Sequence, residues 1–334
     1  MNTDNGYLPD DLRPENEGIT DFHGETPFGI YAREYLAVYI RPFYDWPNYR
    51  TIRHIAEKVF LNSLSDIPIG EIRLSHLQKA LLTIAGCSRS QMDKAVVFIH
   101  GLFATARADD IIRRDPSIGL KIPAVTEGQR RALTAREREL LLEAIPYVKN
   151  GEFFGIMLGC GLRPQEVRAL YWENVDFQAH TISVTGAIKK GQREIGPTKS
   201  KAGVRTIPMP IWLEQMLRKM PDRREKALIF GKDKPLHENQ VTLMWYAVKK
   251  RMEILAGAET KGRSLIGHSP EVGQEITPYY LRHTYATTLA EKGIDMKTAQ
   301  YLLGHANISM TARVYTHVTD KMMQAAAEKI RREL

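Results

Sequence analysis

Between Pro27 and about Pro123, apolar residues recur at spacings of three and four: Ile30, Tyr31, Tyr35, Leu36 and Tyr39, then Ile52, Ile55, Ala56 and Val59. The same period continues through Ile72–Ile84 and Met92–Ile112, which predicts an all-helical domain of four or five helices. Ser75 and Ser90 are its expected N-caps and Asp115-Pro116 its expected stop. The stretch KIPAVTEGQRR, residues 121–131, is polar, aperiodic and carries Pro and Gly, as a linker between domains does.

After the linker the pattern becomes mixed. Thr134 with Glu137 forms a capping box that opens a second domain on a helix. Glu152–Leu158 is a second apolar helix, ending in Gly159-Cys160-Gly161. Pro164 fits the first position of the next helix, which places Arg163 at its entrance and Glu166 one turn on. Thr181–Ile188 alternates and is β-branched, Lys190-Gly191 reads as a turn, and Val204–Ile207 is strand-like again. This predicts a small antiparallel sheet. Helices follow over Ile211–Met220 and Asn239–Ala256, then a loop over Ala258–Glu275. Thr277-Pro278, Asp295 and Ser309 are the expected starts of three further helices, the second stopping at Gly304. The fold class is mainly α with a small antiparallel β-sheet. The domains expected are a tail over 1–26, a helical domain over 27–120, the linker, and a mixed α/β domain over 132–334 ending in a helix.

Composition narrows the partners. Of 334 residues, 43% are hydrophobic and 26% charged, the balance of a globular protein without a membrane span. The longest apolar stretch, Ala95–Ala106, is broken by His100 and is too short to cross a bilayer. No signal peptide is visible, so the expected compartment is the cytoplasm. Cys87 and Cys160 are isolated and suggest neither a disulfide framework nor a metal site. The net charge of +8 is unevenly spread: residues 1–25 carry one basic and seven acidic side chains, while the two domains carry +4 and +10. The tail is expected to be disordered. The basic domains suit an extended polyanion. In the helical domain Arg50, Arg53, Lys58, Arg89 and Lys94 are candidates to meet DNA phosphates, with plain solvated surface as the alternative for each.

Candidate chemistry concentrates between Thr277 and Val318. Arg282 offers a planar fork for a phosphate oxygen, His305 a further donor, and Tyr315 a phenol that can attack phosphorus and hold it covalently. Arg163 supplies a second guanidinium, suited to charge that builds at a transition state. Glu166 lies on the face of Arg163's helix, close enough to orient it. Lys199 and Lys201, on the hairpin end beside Gly203, could protonate a leaving oxygen. Each residue alone has an ordinary structural reading, as ion pair, solvated tip, cap or core.

Four stretches in order, GLRPQEVRAL, TKSKAGVRTIP, LRHTYATTL and LLGHANISMTARVYTHV, resemble the motifs of the tyrosine recombinases, or phage-integrase family. The resemblance covers about residues 27–330. It implies that the helical half is a core-binding domain that clamps DNA together with the catalytic domain. By motif position it implies that Arg163 and Arg282 are the catalytic arginines, Glu166 the supporting acid, Lys201 the general acid with Lys199 in reserve, His305 the histidine, and Tyr315 the nucleophile. One position departs from the pattern: Tyr279 stands three residues before Arg282, where the family usually has histidine. A phenol donates hydrogen bonds but is a poor base at neutral pH. His283 is turned about 100° away around the helix.

The activity implied is site-specific DNA recombination through a 3′-phosphotyrosyl intermediate, for integration or excision of a mobile element. It requires no cofactor and no metal; neither a P-loop nor a metal-ligand cluster is visible. The resemblance further implies a homotetramer on two duplexes, an accessory excision or DNA-bending factor, and exchange of the terminal segment from Lys321 to Leu334 between protomers, with packing of its small apolar face within its own chain as the alternative. Two alternatives remain at this level: a type IB topoisomerase, and a DNA-binding regulator on the same fold that has lost catalysis.

Overall fold

In the computed structural model the described residues are 21–125, 131–189, 192, 194–198, 201–221, 223–231, 233–262, 264–315 and 320–333. The chain divides into two compact units, 1–129 and 130–334.

The first unit is helical. Helix α1 (Phe28–Tyr35) runs on through a wider turn to Ile40, and α2 (Trp46–Ala56) runs through a similar turn into α3 (Asn62–Leu64). Asp45 caps α2 by accepting from the Asn48 amide at 3.0 Å. Two longer helices follow, α4 (Leu74–Leu82) and α5 (Arg89–Ala108). Their caps differ from the expectation. Arg73 precedes α4, and Ser88, not Ser90, caps α5 in a box with Gln91. A cap must sit in extended backbone just before the first helical residue, and Ser75 and Ser90 already lie inside the first turns. Helix α5 also stops earlier than Asp115-Pro116, because Asp109 leaves helical geometry and Asp110 adopts a φ of 57°. Phe28, Phe60, Phe98 and Phe103 form the aromatic centre of this core, all fully buried. Residues 21–26, expected in the unstructured tail, are hydrogen-bonded: Ile69 N donates to Thr26 O and Gly70 N to Gly24 O. The Phe22 ring meets Tyr31 edge-on at 5.4 Å.

The second unit begins with α6 (Ala135–Ala144), whose Thr134 and Glu137 make the expected reciprocal cap. Glu137 is buried and does more: its carboxylate also accepts from both Arg131 Nη atoms and from Gly273 N. It thereby ties the start of the unit to the segment before Arg282. Helix α7 (Glu152–Cys160) is buried along nearly its whole length and ends at Gly161 with a left-handed φ of 65°. A Cβ there would stand 2.2 Å from the Tyr285 ring, so only glycine fits. The short α8 (Pro164–Val167) follows.

Strands β1 (Val175–Asp176), β2 (Thr181–Val184), β3 (Ala187–Ile188), β4 (Ile195–Gly196) and β5 (Arg205–Pro208) form two small antiparallel sheets, β1-β2-β5 and β3-β4. The pairing of Val184 with Arg205 and Ile182 with Ile207 turns Arg205 and Ile207 inward. The proposed turn at Lys190-Gly191 lies outside the described residues. Helices α9 (Ile211–Arg218) and α10 (Glu238–Leu255) come next, α10 packing on α6.

The expected loop over Ala258–Glu275 contains a hairpin, β6 (Glu259–Lys261) with β7 (Ser264–Ile266). Five of its six strand residues are exposed, so it buries no apolar face and shows no alternation to read.

The chain closes with α11 (Pro278–Glu291), α12 (Met296–Leu303), α13 (Ser309–Tyr315) and α14 (Asp320–Glu333). Helix α11 packs against α7. Thr277 holds the cap position of α11 but its side chain makes no capping bond. Asp295 caps α12 by accepting from the Lys297 and Thr298 amides, and Gly304 ends it at a φ of 60°. Ser309 is the first residue of α13 rather than its cap; Asn307 Oδ1 accepts from the Ser309 amide at 2.9 Å. The architecture is mainly α with small antiparallel sheets, as expected.

Candidate active site

Glu166 is the centre of the site. As the third residue of α8 its carboxylate reaches back to accept from Arg163 N at 2.8 Å, a capping contact that also buries it. Two guanidinium groups then close on it. Arg163 Nη1 donates to Oε1 at 2.8 Å, and Arg205 donates through Nη1 to Oε1 at 3.2 Å and through Nη2 to Oε2 at 3.0 Å. Arg282 Nη1 stands 4.0 Å from Oε2. Burial would push this carboxyl up, but the Arg205 hydrogen bonds and the charges of Arg205, Arg163 and Arg282 outweigh it and hold the pKa below the usual range.

The three arginines differ in exposure and anchoring. Arg282 is buried and aimed by two main-chain acceptors, Gly161 O at 2.6 Å and Leu303 O. The left-handed end of α7 therefore places a carbonyl where the α11 guanidinium needs one. Burial, followed by the facing charge of Arg163, pulls the Arg282 pKa down to about 9, which leaves it charged at neutral pH. Arg163 keeps 30% of its side chain exposed, with Nη2 donating to Gly304 O at 3.2 Å. It is the guanidinium of the three most open to a ligand. Three positive groups around one carboxylate leave the pocket short of negative charge, the condition for binding an anion.

His305 follows Gly304 and is buried beside them. Its Nδ1 lies 2.9 Å from Thr311 Oγ1, and Gln300 Nε2 donates to its carbonyl at 3.0 Å. Burial first, then the charges of Arg282, Arg163 and Arg205, lower its pKa to about 4, so the ring is neutral at pH 7. In the tautomer in which the Thr311 hydroxyl donates to Nδ1, Nε2 carries the proton and is a donor.

Of the remaining candidates, Tyr279 interacts electrostatically with Arg282. Tyr279, on the first turn of α11, is 39% exposed and donates to Gln165 Oε1 at 3.3 Å. Tyr315 Oη donates to Ile294 O at 2.9 Å, in the turn between α11 and α12. Burial and then the Asp295 charge raise its pKa. Lys201 opens a single helical turn, Lys201–Gly203, at the end of the hairpin that precedes β5. Lys199 lies outside the described residues. In the helical unit, Arg50 and Lys58 are exposed and Lys94 is half-buried, while Arg53 and Arg89 pair with Glu57 and Asp93 one turn on.

Arg205 is the member of the cluster that the sequence reading passed over. Its signal was the period-two alternation of β5, which turns residue 205 to the same side as Ile207. A guanidinium at an inward strand position needs a buried anion, and none stands near it in sequence. Among the described residues no group of three His, Cys, Asp or Glu side chains could hold a metal, and no helix is long and apolar enough to cross a membrane.

The model of the phage integrase family matches residues 131–322. The tyrosine recombinase XerA of Thermococcus kodakarensis is 28% identical over 327 residues, covering 96% of this chain and 95% of that protein. The transposase of transposon Tn916 from Enterococcus faecalis is 26% identical over 285 residues, covering 80% of this chain and 66% of the transposase. Among solved structures, the Tn1549 transposon integrase in complex with a circular-intermediate DNA aligns with a TM-score of 0.68 at 24% identity, covering 90% of this chain and 98% of that one.

Proposed function

This chain belongs to the phage integrase family, and we propose that it is a site-specific DNA recombinase of a mobile element, which breaks and rejoins strands through a 3′-phosphotyrosyl link to Tyr315. The observation that carries this reading is the convergence of Arg163, Arg205 and Arg282 on the single buried carboxylate of Glu166. Such a pocket keeps an excess of positive charge, and a phosphodiester is an anion that suits it.

Arg163 and Arg282 stabilise the negative charge that grows on the nonbridging oxygens as the phosphorus becomes five-coordinate. Glu166 holds Arg163 in its rotamer, and neutral His305 donates from Nε2 to the same oxygens. Tyr315 Oη attacks the phosphorus, forming the Tyr–O–P bond and giving up its proton, while the bond from phosphorus to the 5′ oxygen breaks. Lys201, with Lys199 in reserve, delivers a proton to that oxygen, so a 5′ hydroxyl departs. Rejoining reverses the step with a 5′ hydroxyl from the partner duplex, and one phosphoester replaces another without an external energy source.

Before attack, the Tyr315 hydroxyl has to leave the Ile294 carbonyl it now faces. Tyr279 serves as a donor at the rim rather than as a base, and water accepts the Tyr315 proton.

DNA is the substrate and partner. Arg50, Arg53, Lys58, Arg89 and Lys94 contribute backbone contacts from the helical unit. Four protomers assemble on two sites in the cytoplasm with an accessory DNA-bending factor, each lending α14 to a neighbour; its exposed Met323 and Ile330 suit such an exchange. The recombinase and transposase relatives favour joining of two sites over relaxation within one duplex. Replacing Tyr315 by Phe is expected to leave binding to a nicked recombination site unchanged and to abolish the covalent protein–DNA adduct on a denaturing gel. An adduct that persists in this variant rules out Tyr315 as the nucleophile.

A further inference from the structure

Arg205 has no surface through which to meet DNA: its side chain is fully buried. A buried guanidinium is weak as a stabilising device, because its desolvation offsets most of what its ion pair returns. What distinguishes this one is where its donors go. Nη1 and Nη2 hold Glu166 on α8, Nη1 also donates to Gly203 O at 2.9 Å, and Nε donates to Leu302 O at 2.8 Å. Those acceptors belong to three pieces of chain far apart in sequence: the helix start that orients Arg163, the turn that begins with Lys201, and the end of α12 that precedes His305.

Close backbone approach completes the joint. A Cβ on Gly304 would stand 2.8 Å from Arg205 Nη1 and 3.1 Å from Ala202 O, and a Cβ on Gly203 would stand 2.5 Å from Thr198 Cβ. The Lys201–Gly203 turn therefore lies directly on the Gly304 turn, with Arg205 between them. Neither glycine has room for a side chain.

We infer that Arg205 is a positioning residue for strand cleavage, which fixes the turn bearing Lys201 in register with the Glu166–Arg163 pair and the Gly304–His305 turn. The inference rests on the reading of Lys201 as general acid. If Arg205 sets the lysine's placement, its loss harms protonation of the leaving oxygen more than stabilisation of the phosphorane. A purely structural role harms both alike.

The test compares two nicked DNA substrates, one with the natural 5′ oxygen at the scissile phosphate and one with sulfur in its place. The 5′ thiolate, the base of a thiol far more acidic than an alcohol (about 8.5 for the cysteine thiol), departs without a proton donor. Lys201→Ala is expected to slow cleavage of the oxygen substrate by about 100-fold or more and of the sulfur substrate by less than about 5-fold. Arg205→Gln is expected to show the same split, to within about a factor of three, and Arg205→Lys a smaller one in the same direction. Gly203→Ala displaces the same turn while leaving every charge in place, so it reads the coupling even if Arg205→Gln does not fold. It too should spare the sulfur substrate. A split for Lys201→Ala with equal slowing of both substrates by Arg205→Lys and Gly203→Ala overturns the inference and leaves the lysine reading intact. No split for Lys201→Ala overturns the lysine reading, and the inference with it.

Discussion

Replacing Glu166 by Gln keeps the shape of the side chain and removes the one negative charge at the centre of the site. In the native protein the carboxylate accepts side-chain N–H groups at 2.8, 3.0 and 3.2 Å and a main-chain amide at 2.8 Å. An amide in its place turns one oxygen into a donor. Two of those contacts then become donor facing donor, and three guanidinium groups are left without a counter-charge. Breaking a buried pair from one side costs about 3–5 kcal/mol. For a unit of about 200 residues that corresponds to a fall in Tm of roughly 6–20 °C. Thermal unfolding followed by near-ultraviolet circular dichroism measures it directly.

The same variant carries a second, opposite signature. With its internal anion gone, the pocket gains more from an external one, so sulfate should raise the Tm of Glu166→Gln more than that of the native chain. The pH dependence follows from the depressed carboxyl. Its stabilisation is present above the unfolded carboxylate pKa and is lost as pH falls through the lower folded value, so the gap between native and variant should close in acid. A loss below about 1 kcal/mol, or an equal response to sulfate in both proteins, would refute the idea that Glu166 neutralises the cluster.

Two further outcomes follow from the frame that holds the site. Glu137, held at about 2 by its Arg131 and main-chain hydrogen bonds against the upward push of burial, should contribute about 2–3 kcal/mol at neutral pH, part of it screened at the half-exposed Arg131. That contribution is complete above the ordinary glutamate pKa of 4.5 and is lost as pH falls toward about 2, and acid titration of native chain against Glu137→Gln measures it. Gly161→Ala places a methyl into the Tyr285 ring at a φ of 65° and pulls the Gly161 carbonyl from Arg282, so it should destabilise by about 2–4 kcal/mol and slow cleavage more than it weakens DNA binding; normal cleavage kinetics in a folded variant contradicts this.

The sequence by itself determined the features whose physics is local. The Thr134–Glu137 box, the Asp295 cap and the glycine ends of α7 and α12 depend on a few neighbouring residues, and each stands where the sequence placed it. The apolar periods of α2, α5 and α10 likewise carry their own instruction, because a buried stripe at helical spacing needs no knowledge of its partner. Local signals failed where a second capping residue type stood two positions away, as with Ser88, which caps α5 in place of Ser90. They failed again at the β6–β7 hairpin, which buries no face.

Only the tertiary structure decided how the charges meet. Glu166 is three residues from Arg163 but 39 from Arg205, and nothing in either stretch says that both guanidinium groups share its two oxygens. Arg282 takes its direction from Gly161 O and Leu303 O, acceptors 121 and 21 residues away. The Tyr315 hydroxyl faces Ile294 rather than the cluster for the same kind of reason, a turn 21 residues upstream that the α11–α12 packing brings to it. Residue type and order specify which groups are present. Their charge state, direction and accessibility come from burial and from main-chain carbonyls, which every residue possesses and which only folding can aim.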